Sequence, residues 1–378
     1  MQEVKSKTYS IFNALTVILR NRIILASYRL PGESDINLVV QNDLNLEELP
    51  ELSHIPATGG FLIAPFMAGN NSKTYLIRPD IVHRNALTGN QLKQLGSLLP
   101  GSSVNGSPQI VPVETDRGNY LKQIEQTIQK IRSGEYDKVV LSRVKIIQGN
   151  YSPDLIRIFQ LLCGSYPNAF VYLFQIKGQC WMGATPEPLI CSAGKELFTV
   201  SLAGTRPFTE ENTHVSRWNH KERIEQEYVT RYIEKILTDY NITGYRSKGP
   251  YTKRAGRILH LRTDFYFSSD VIGNKLPALI GALHPTSAVC GIPMEKSLEY
   301  ISNLEKHDRE YYSGFLGPVG LDGGIQLFVN LRCMKVLENQ LILYIGGGIT
   351  SESVPEDEWE ETEIKAETLL SIVQQIKS

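Results

Sequence analysis

AFVYLFQI (169–176), QCWMGA (179–184) and ELFTVSLAG (196–204) follow one another through short links bearing Gly, Pro or Lys, and their reading decides the fold. Runs of this length, rich in Val, Phe, Tyr and Leu, predict strands, and short turns between them predict an antiparallel meander. Upstream, Thr115 and Asp116 can cap a helix whose apolar stripe is Tyr120, Ile124, Ile128 and Ile131, and Ser133-Gly134 ends it. The strand YDKVVLSRVKII (136–147) follows, then a helix opened by Pro153 that runs through Cys163. Downstream, a helix over 219–240 turns Ile224, Tyr228, Ile233 and Leu237 toward a core, and a last helix starts near Asp357. Residues 1 to about 110 predict a helix and then short strands, IILASYRL, INLVV and GFLIAPF. Strands come in runs and do not alternate strictly with helices. The pattern therefore predicts an α+β fold, a single large domain of extensive, largely antiparallel β-sheets flanked by helices.

With 42% hydrophobic and 21% charged residues among 378, the chain can bury a large core. A net charge of −1 and the lack of any repeated Lys/Arg cluster argue against a nucleic-acid partner. The apolar stretch near the start is broken by Asn13, Arg20 and Arg22. It predicts neither a signal peptide nor a membrane span, hence no membrane partner and a cytoplasmic location. Cys163, Cys180, Cys191, Cys290 and Cys333 are odd in number and lack CxxC spacing, which predicts reduced, mostly buried thiols.

The chemistry concentrates toward the C-terminal end. FVNLRCMKV (328–336) alternates as a strand does, which would hold Arg332 on a rigid element, a fork suited to a carboxylate. LYIGGGIT (343–350) predicts a strand followed by a glycine turn, where Gly346, Gly347 and Gly348 let backbone approach a ligand; it lacks the spacing of a nucleotide loop. In EDEWEETEIK (356–365), Glu358, Glu361 and Lys365 share one helix face, and Glu222 and Glu225 repeat the i, i+3 spacing on the 219–240 helix. Two such pairs facing each other would need a hard divalent cation such as magnesium, and no His or Cys stands at zinc spacing. Lys138 sits in a strand of valines and leucines. Desolvation and a neighbouring cation such as Arg332 would favour a neutral amine there, able to take a proton from water. Glu187, pinned between Pro186 and Pro188, would if buried hold its proton near neutral pH and could donate it to a leaving oxygen. Gly204 and Thr205 in SLAGTRP could bring a backbone N–H and a hydroxyl to a substrate. Each feature also has a plain reading: solvated acidic faces, a tight turn, a snorkelling lysine, a turn glutamate in water, and His284 as a loop histidine satisfied by backbone.

Taken together, YDKVVLSR, GATPEPL, SLAGTRP, KERIEQEYV, LHPTSAVCGIP, YYSGFLGPVG, FVNLRCMKV, YIGGGI and EWEETEIK resemble, in order, the chorismate-utilising enzymes, and among them the isochorismate synthases. The resemblance covers about residues 115–376, which it marks as the chorismate-binding catalytic core; 1–110 would be a divergent part of the same domain, of the anthranilate synthase component I-like fold. It implies Mg²⁺ held by carboxylates matching Glu222, Glu225, Glu358 and Glu361, some through water, and binding the ring carboxylate of chorismate. The enolpyruvyl carboxylate would go to Arg332, with Tyr312 and Lys365 nearby and backbone of Gly204, Thr205 and Gly346 to Gly348 completing the cradle. His284 and Ala288 would be further substrate contacts. Lys138 would activate water for attack at ring C2, and Glu187 would protonate the departing C4 hydroxyl. Aminating relatives typically have Gln at the Lys138 position, and the aminodeoxychorismate synthases use a lysine where this chain has Ala203, so water chemistry without an amidotransferase partner is implied. One departure is Gln226, where many relatives have His. The implied product is isochorismate, for menaquinone or for a siderophore; salicylate synthases, which go on to eliminate pyruvate, often carry Thr near the Ala288 position.

Overall fold

The computed structural model describes residues 8–69, 72–98, 111–256, 258–322 and 324–377. The boundary expected near 110 lies outside them. Strand Phe170–Ile176 is buried along its whole length, and alternation explains why. Phe170, Tyr172 and Phe174 join one hydrophobic cluster, whereas Val171 and Leu173 join another on the opposite face. A strand covered on both faces reads as an unbroken apolar run.

Among the described residues two nine-stranded sheets result. The first runs Gly291–Ile292, Lys138–Gln148, Gln340–Ile349, Cys333–Leu337, Gln179–Thr185, Phe170–Ile176, Leu25–Arg29, Asn37–Val40, Ile81–Arg84. The second runs Arg246–Ala255, Ile258–Ser268, Glu196–Pro207, Pro188–Ala193, Gln326–Val329, Phe315–Val319, Gly60–Ala64, Tyr75–Ile77, Glu47–Glu48. Neighbours within each sheet pair antiparallel. An aromatic layer fills the space between the sheets, with Phe170 stacked on Phe328 at 4.3 Å between ring centroids. Helices Ile11–Ile18, Leu155–Ser165 and Pro355–Lys377 cover the outer face of the first sheet, and His220–Asp239 and Leu276–Leu283 that of the second.

Asp116 does cap the helix Arg117–Arg132, its side chain accepting from Asn119 N–H, and Ser133 closes it. Three expectations need correction. The meander gains a strand, Pro188–Ala193, between QCWMGA and ELFTVSLAG, because the chain changes sheets at Pro186-Glu187. FVNLRCMKV is two strands in different sheets, and Arg332 sits at the bend between them in a left-handed conformation, φ 49°. Finally, Gly346, Gly347 and Gly348 form no turn; they lie inside strand Gln340–Ile349 opposite Ser142, Leu141 and Val140. Of the cysteines, Cys163 is partly buried and the other four are buried, all as free thiols. Among the described residues no helix is long and apolar enough to cross a membrane.

Since the Phe170–Phe328 stack spans the sheet interface, Phe328→Ala should cost about 3–5 kcal/mol, a transfer loss plus a cavity that the neighbouring rings cannot fill. Urea denaturation checks this, and a cost under about 1 kcal/mol would mean that the sheets are held elsewhere.

Candidate active site

Two crossing strands set the first pair of site residues. Gln179–Thr185 and Cys333–Leu337 are partners in the first sheet, and their continuations Pro188–Ala193 and Gln326–Val329 are partners in the second. Glu187 and Arg332 therefore occupy the two bends of one hydrogen-bonded ribbon. Val329 N–H donates to Glu187 O at 2.9 Å and Ala184 N–H to Arg332 O at 3.1 Å, fixing both main chains. The Glu187 carboxyl is pushed up to about 7 by burial, which outweighs the nearby Lys138, Arg332 and Lys365. Arg332 is half-buried, desolvation lowers its pKa, and among the described residues it has no ion-pair or side-chain hydrogen-bond partner. An unpaired guanidinium at a pocket wall is a receptor for an anion.

The glycines bring the second set together. A Cβ on Gly348 would strike Glu225 Oε1 and lie 2.8 Å from Lys138 Cε; one on Gly346 would lie 2.7 Å from the Tyr312 hydroxyl oxygen. Their role is close approach within a strand, so Lys138 and Glu225 can lie against bare backbone. Lys138 is fully buried with its Nζ 3.1 Å from Glu225 Oε1, and Glu225 Oε2 accepts from Gly204 N–H at 3.2 Å. Gly204 itself has φ 70° where strand Glu196–Pro207 slips register, a conformation that suits glycine.

Helices His220–Asp239 and Pro355–Lys377 supply the four carboxylates, and each meets a cation. Besides Glu225 with Lys138, Glu222 pairs with Arg206 Nε at 3.0 Å and also accepts from Asn219 N–H as part of the helix's capping box. Glu361 pairs with Lys365 Nζ at 2.5 Å, which in turn donates to Gly346 O at 2.9 Å. Glu358 pairs with Lys221. Burial and then Glu361 push the Glu358 carboxyl up to about 7 against the pull of Lys221. Burial acts on Glu361 in the same sense, but Lys365 and then Lys221 outweigh it and hold that carboxyl below the usual range. Among the described residues no three acidic, His or Cys groups converge as a finished metal cage. The donor set nevertheless fits a hard cation, being all oxygen, buried at Glu222 and Glu358 and half-buried at Glu225 and Glu361, and partly self-repelling at Glu358 and Glu361.

An inner pocket of about 50 Å³ is lined by Glu187, Gly204, Thr205, Glu225, Ala288, Tyr312, Arg332, Gly346, Gly347, Gly348 and Lys365. The structure thus gathers most of the residues singled out from the sequence. A cavity of about 710 Å³ lies beyond Pro186, Leu202, His260 and Arg332, which line both spaces. The chemistry points to the inner pocket, since Glu187, Glu225, Arg332 and Lys365 line it, while Lys138, Glu222, Glu358 and Glu361 are not part of the lining, Lys138 pairing with Glu225 and Glu361 with Lys365 from behind it. At its present volume it holds little more than water, and a ring-sized ligand requires the paired side chains to part.

His284 corrects an expectation. It lies outside the lining, with Nε2 2.9 Å from Pro65 O and its ring edge-on to Phe315, so the plain reading of a histidine satisfied by backbone holds. His260 is the lining residue that sequence reasoning missed. Its Nδ1 is 2.8 Å from Gly204 O, its buried Nε2 has no hydrogen-bond partner among the described residues, and burial followed by Arg332 pushes its pKa down to about 3. A neutral ring donating through Nδ1 leaves Nε2 free to accept from a ligand. The only clue in sequence was one polar ring in the apolar run ILHL. Gln226 donates to Ser201 O at 3.2 Å and Ser201 Oγ at 2.8 Å, fastening the carboxylate helix to the Glu196–Pro207 strand.

The family model for chorismate binding enzymes matches residues 78–374 of the chain. Isochorismate synthase EntC of Escherichia coli (strain K12) is 29% identical over 271 residues, 70% of this chain and 68% of the relative. The vibriobactin-specific isochorismate synthase of Vibrio cholerae is 30% identical over 269 residues, 68% of each chain. The solved structure of MenF, the menaquinone-specific isochorismate synthase from Escherichia coli, superposes with TM-score 0.72 at 22% identity, covering 98% of this chain and 96% of that one, a likeness of fold.

Glu187 gives a titration to look for. Its pKa is raised on folding from 4.5 to about 7, so the folded state binds the proton more tightly than the unfolded chain. The stability this contributes is complete below pH 4.5 and is lost as pH rises through about 7. Wild type minus Glu187→Gln stability, from urea melts at pH 4.5 and 8, should fall by on the order of 3 kcal/mol. A pH-independent difference would place the carboxyl in contact with water.

Proposed function

The chain belongs to the chorismate-binding enzyme family, and we propose that within it the protein is an isochorismate synthase, converting chorismate to isochorismate with Mg²⁺. The observation that carries this reading is Glu187 in the pocket lining, a carboxyl that keeps its proton near neutrality, with the fully buried Lys138 close enough to act on it. Water chemistry needs both, and neither would serve a module that only binds.

Arg332, half-buried and without a partner among the described residues, suits the enolpyruvyl carboxylate, with the Tyr312 hydroxyl beside Gly346. Glu225 and Glu361 would hold Mg²⁺, with Glu222 and Glu358 behind them acting directly or through water; when bound, the ion supplies positive charge for the ring carboxylate. Lys138 takes a proton from water as its oxygen bonds to ring C2, the double bond shifts, and the C4–O bond breaks. Glu187 gives its proton to the departing hydroxide, so one water is consumed and one released. Tyr312 is kept un-ionised, its pKa pushed up to about 12 by burial, and so donates a hydrogen bond without adding negative charge. His260 Nε2, facing the same space, suits a substrate hydroxyl.

Incubation with chorismate and Mg²⁺, without an ammonia source, should yield isochorismate by NMR or chromatography, and EDTA should abolish it. Salicylate with pyruvate would move the chain to the salicylate synthases, and binding without product would overturn the enzymatic reading. Lys138→Ala should lose turnover by about 10²- to 10⁴-fold while still binding chorismate; near-full turnover would remove the lysine from its role.

A further inference from the structure

The cations paired with the carboxylates differ in how free they are to leave. Lys138 is enclosed on all sides. Arg206 also donates to the Arg217 carbonyl, and Lys365 to the Gly346 carbonyl, so each is tied to backbone as well as to its glutamate. Lys221 has the Glu358 carboxylate as its one hydrogen-bond partner among the described residues, and its side chain is 21% exposed against 1% for Glu358. It stands at the rim of the carboxylate group and does not line the inner pocket. Rotating outward would return its ammonium to water without breaking a second contact. Glu358 has no such freedom, held beneath Lys221 in the first turn of its helix.

We propose that Lys221 is a tethered counter-ion, an ammonium that neutralises Glu358 while no metal is bound and must be displaced when a divalent cation enters. The inference rests on the Mg²⁺ reading given above. Its consequence is that Lys221 weakens metal affinity in exchange for an apo protein in which the buried Glu358 carboxylate is not left uncompensated beside Glu361. The exchange swaps one cation for another at the same oxygen, so net charge in the buried layer changes little as the site fills.

Calorimetric titration of the intact protein with Mg²⁺ tests it. Lys221→Met should bind Mg²⁺ roughly tenfold tighter than wild type, the scale of one ion pair that no longer has to be broken. In thermal melts the same variant should lose stability without metal and gain more than wild type on adding Mg²⁺. Lys221→Arg, which keeps the charge, should bind as wild type does. The gain should vanish when Lys221→Met is combined with Glu358→Gln. Unchanged or weaker affinity in Lys221→Met, or a gain that persists in the Glu358→Gln background, would overturn the proposal while leaving the metal reading intact. Wild type that takes up no Mg²⁺ at all would overturn both.

Discussion

The structure depends on a two-stranded ribbon that leaves one sheet and enters the other without separating. At the bend, regular pairing is interrupted and local groups take over its hydrogen bonds. Thr185 Oγ1 donates to Val329 O at 2.6 Å, Asn330 N–H to Gly314 O at 2.7 Å, and Asn330 Nδ2 to Tyr311 O at 2.7 Å. Buried backbone polar groups must be satisfied, so a bend in this position can exist only with such substitutes. That requirement also explains why Glu187 and Arg332 are well placed. They sit where the ribbon is pinned on both strands, and a side chain at a pinned bend stays aimed.

Around this ribbon the pocket is organised by charge compensation. Burying a carboxylate costs several kcal/mol unless a cation or hydrogen bonds meet it, and here four carboxylates and four cations are drawn into one layer. The compensation is uneven. Lys365 and then Lys221 hold the Glu361 carboxyl low, whereas burial and then Glu361 push the Glu358 carboxyl up, and among the described residues Arg332 has no counter-ion. An apo site with an unpaired guanidinium on one wall and self-repelling carboxylates on another is complementary to an anion and a cation taken up together. That complementarity matches a dicarboxylate with a divalent metal better than either alone.

Much of this was legible in the chain. The meander strands, the Asp116 cap and the helices carrying Glu222, Glu225, Glu358 and Glu361 follow from period and capping chemistry, which act locally. What sequence reading lost was where strands change sheets. Side chains of FVNLRCMKV are apolar on both sides of the bend because both sheets bury them, so a period of two runs through Arg332 without a break. The glycine triplet misled for a related reason. Glycine commonly marks turns, and only the tertiary approach of Tyr312 to Gly346 and of Glu225 and Lys138 to Gly348 shows why an extended strand needs glycine at those two positions. His260 and His284 could not be told apart, because a lone histidine's role depends on which wall it faces.

The strand bearing Lys138 meets a difficulty of its own, and its solution ties the base candidate to the rest of the molecule. On one side it pairs with ten residues of Gln340–Ile349, but on the other, among the described residues, only Gly291 and Ile292 pair with it as a strand, and beyond them single backbone bonds remain, Val140 N–H to Cys290 O at 2.7 Å and Thr115 N–H to Val144 O at 3.3 Å. Side chains stand in for the missing strand. Arg309 donates to Val140 O at 2.7 Å and to Val289 O at 2.8 Å, while Glu305 accepts from Ser142 N–H at 2.6 Å and pairs with Arg309. One buried ion pair thus holds the main chain two residues from Lys138 and the loop bearing Ala288 at a fixed separation. A buried pair of this kind adds little net stability, because desolvation consumes most of the attraction. What it supplies is register: neither strand nor loop can slide without stranding a buried charge, so the Lys138 side chain keeps its place against Gly348 and Glu225.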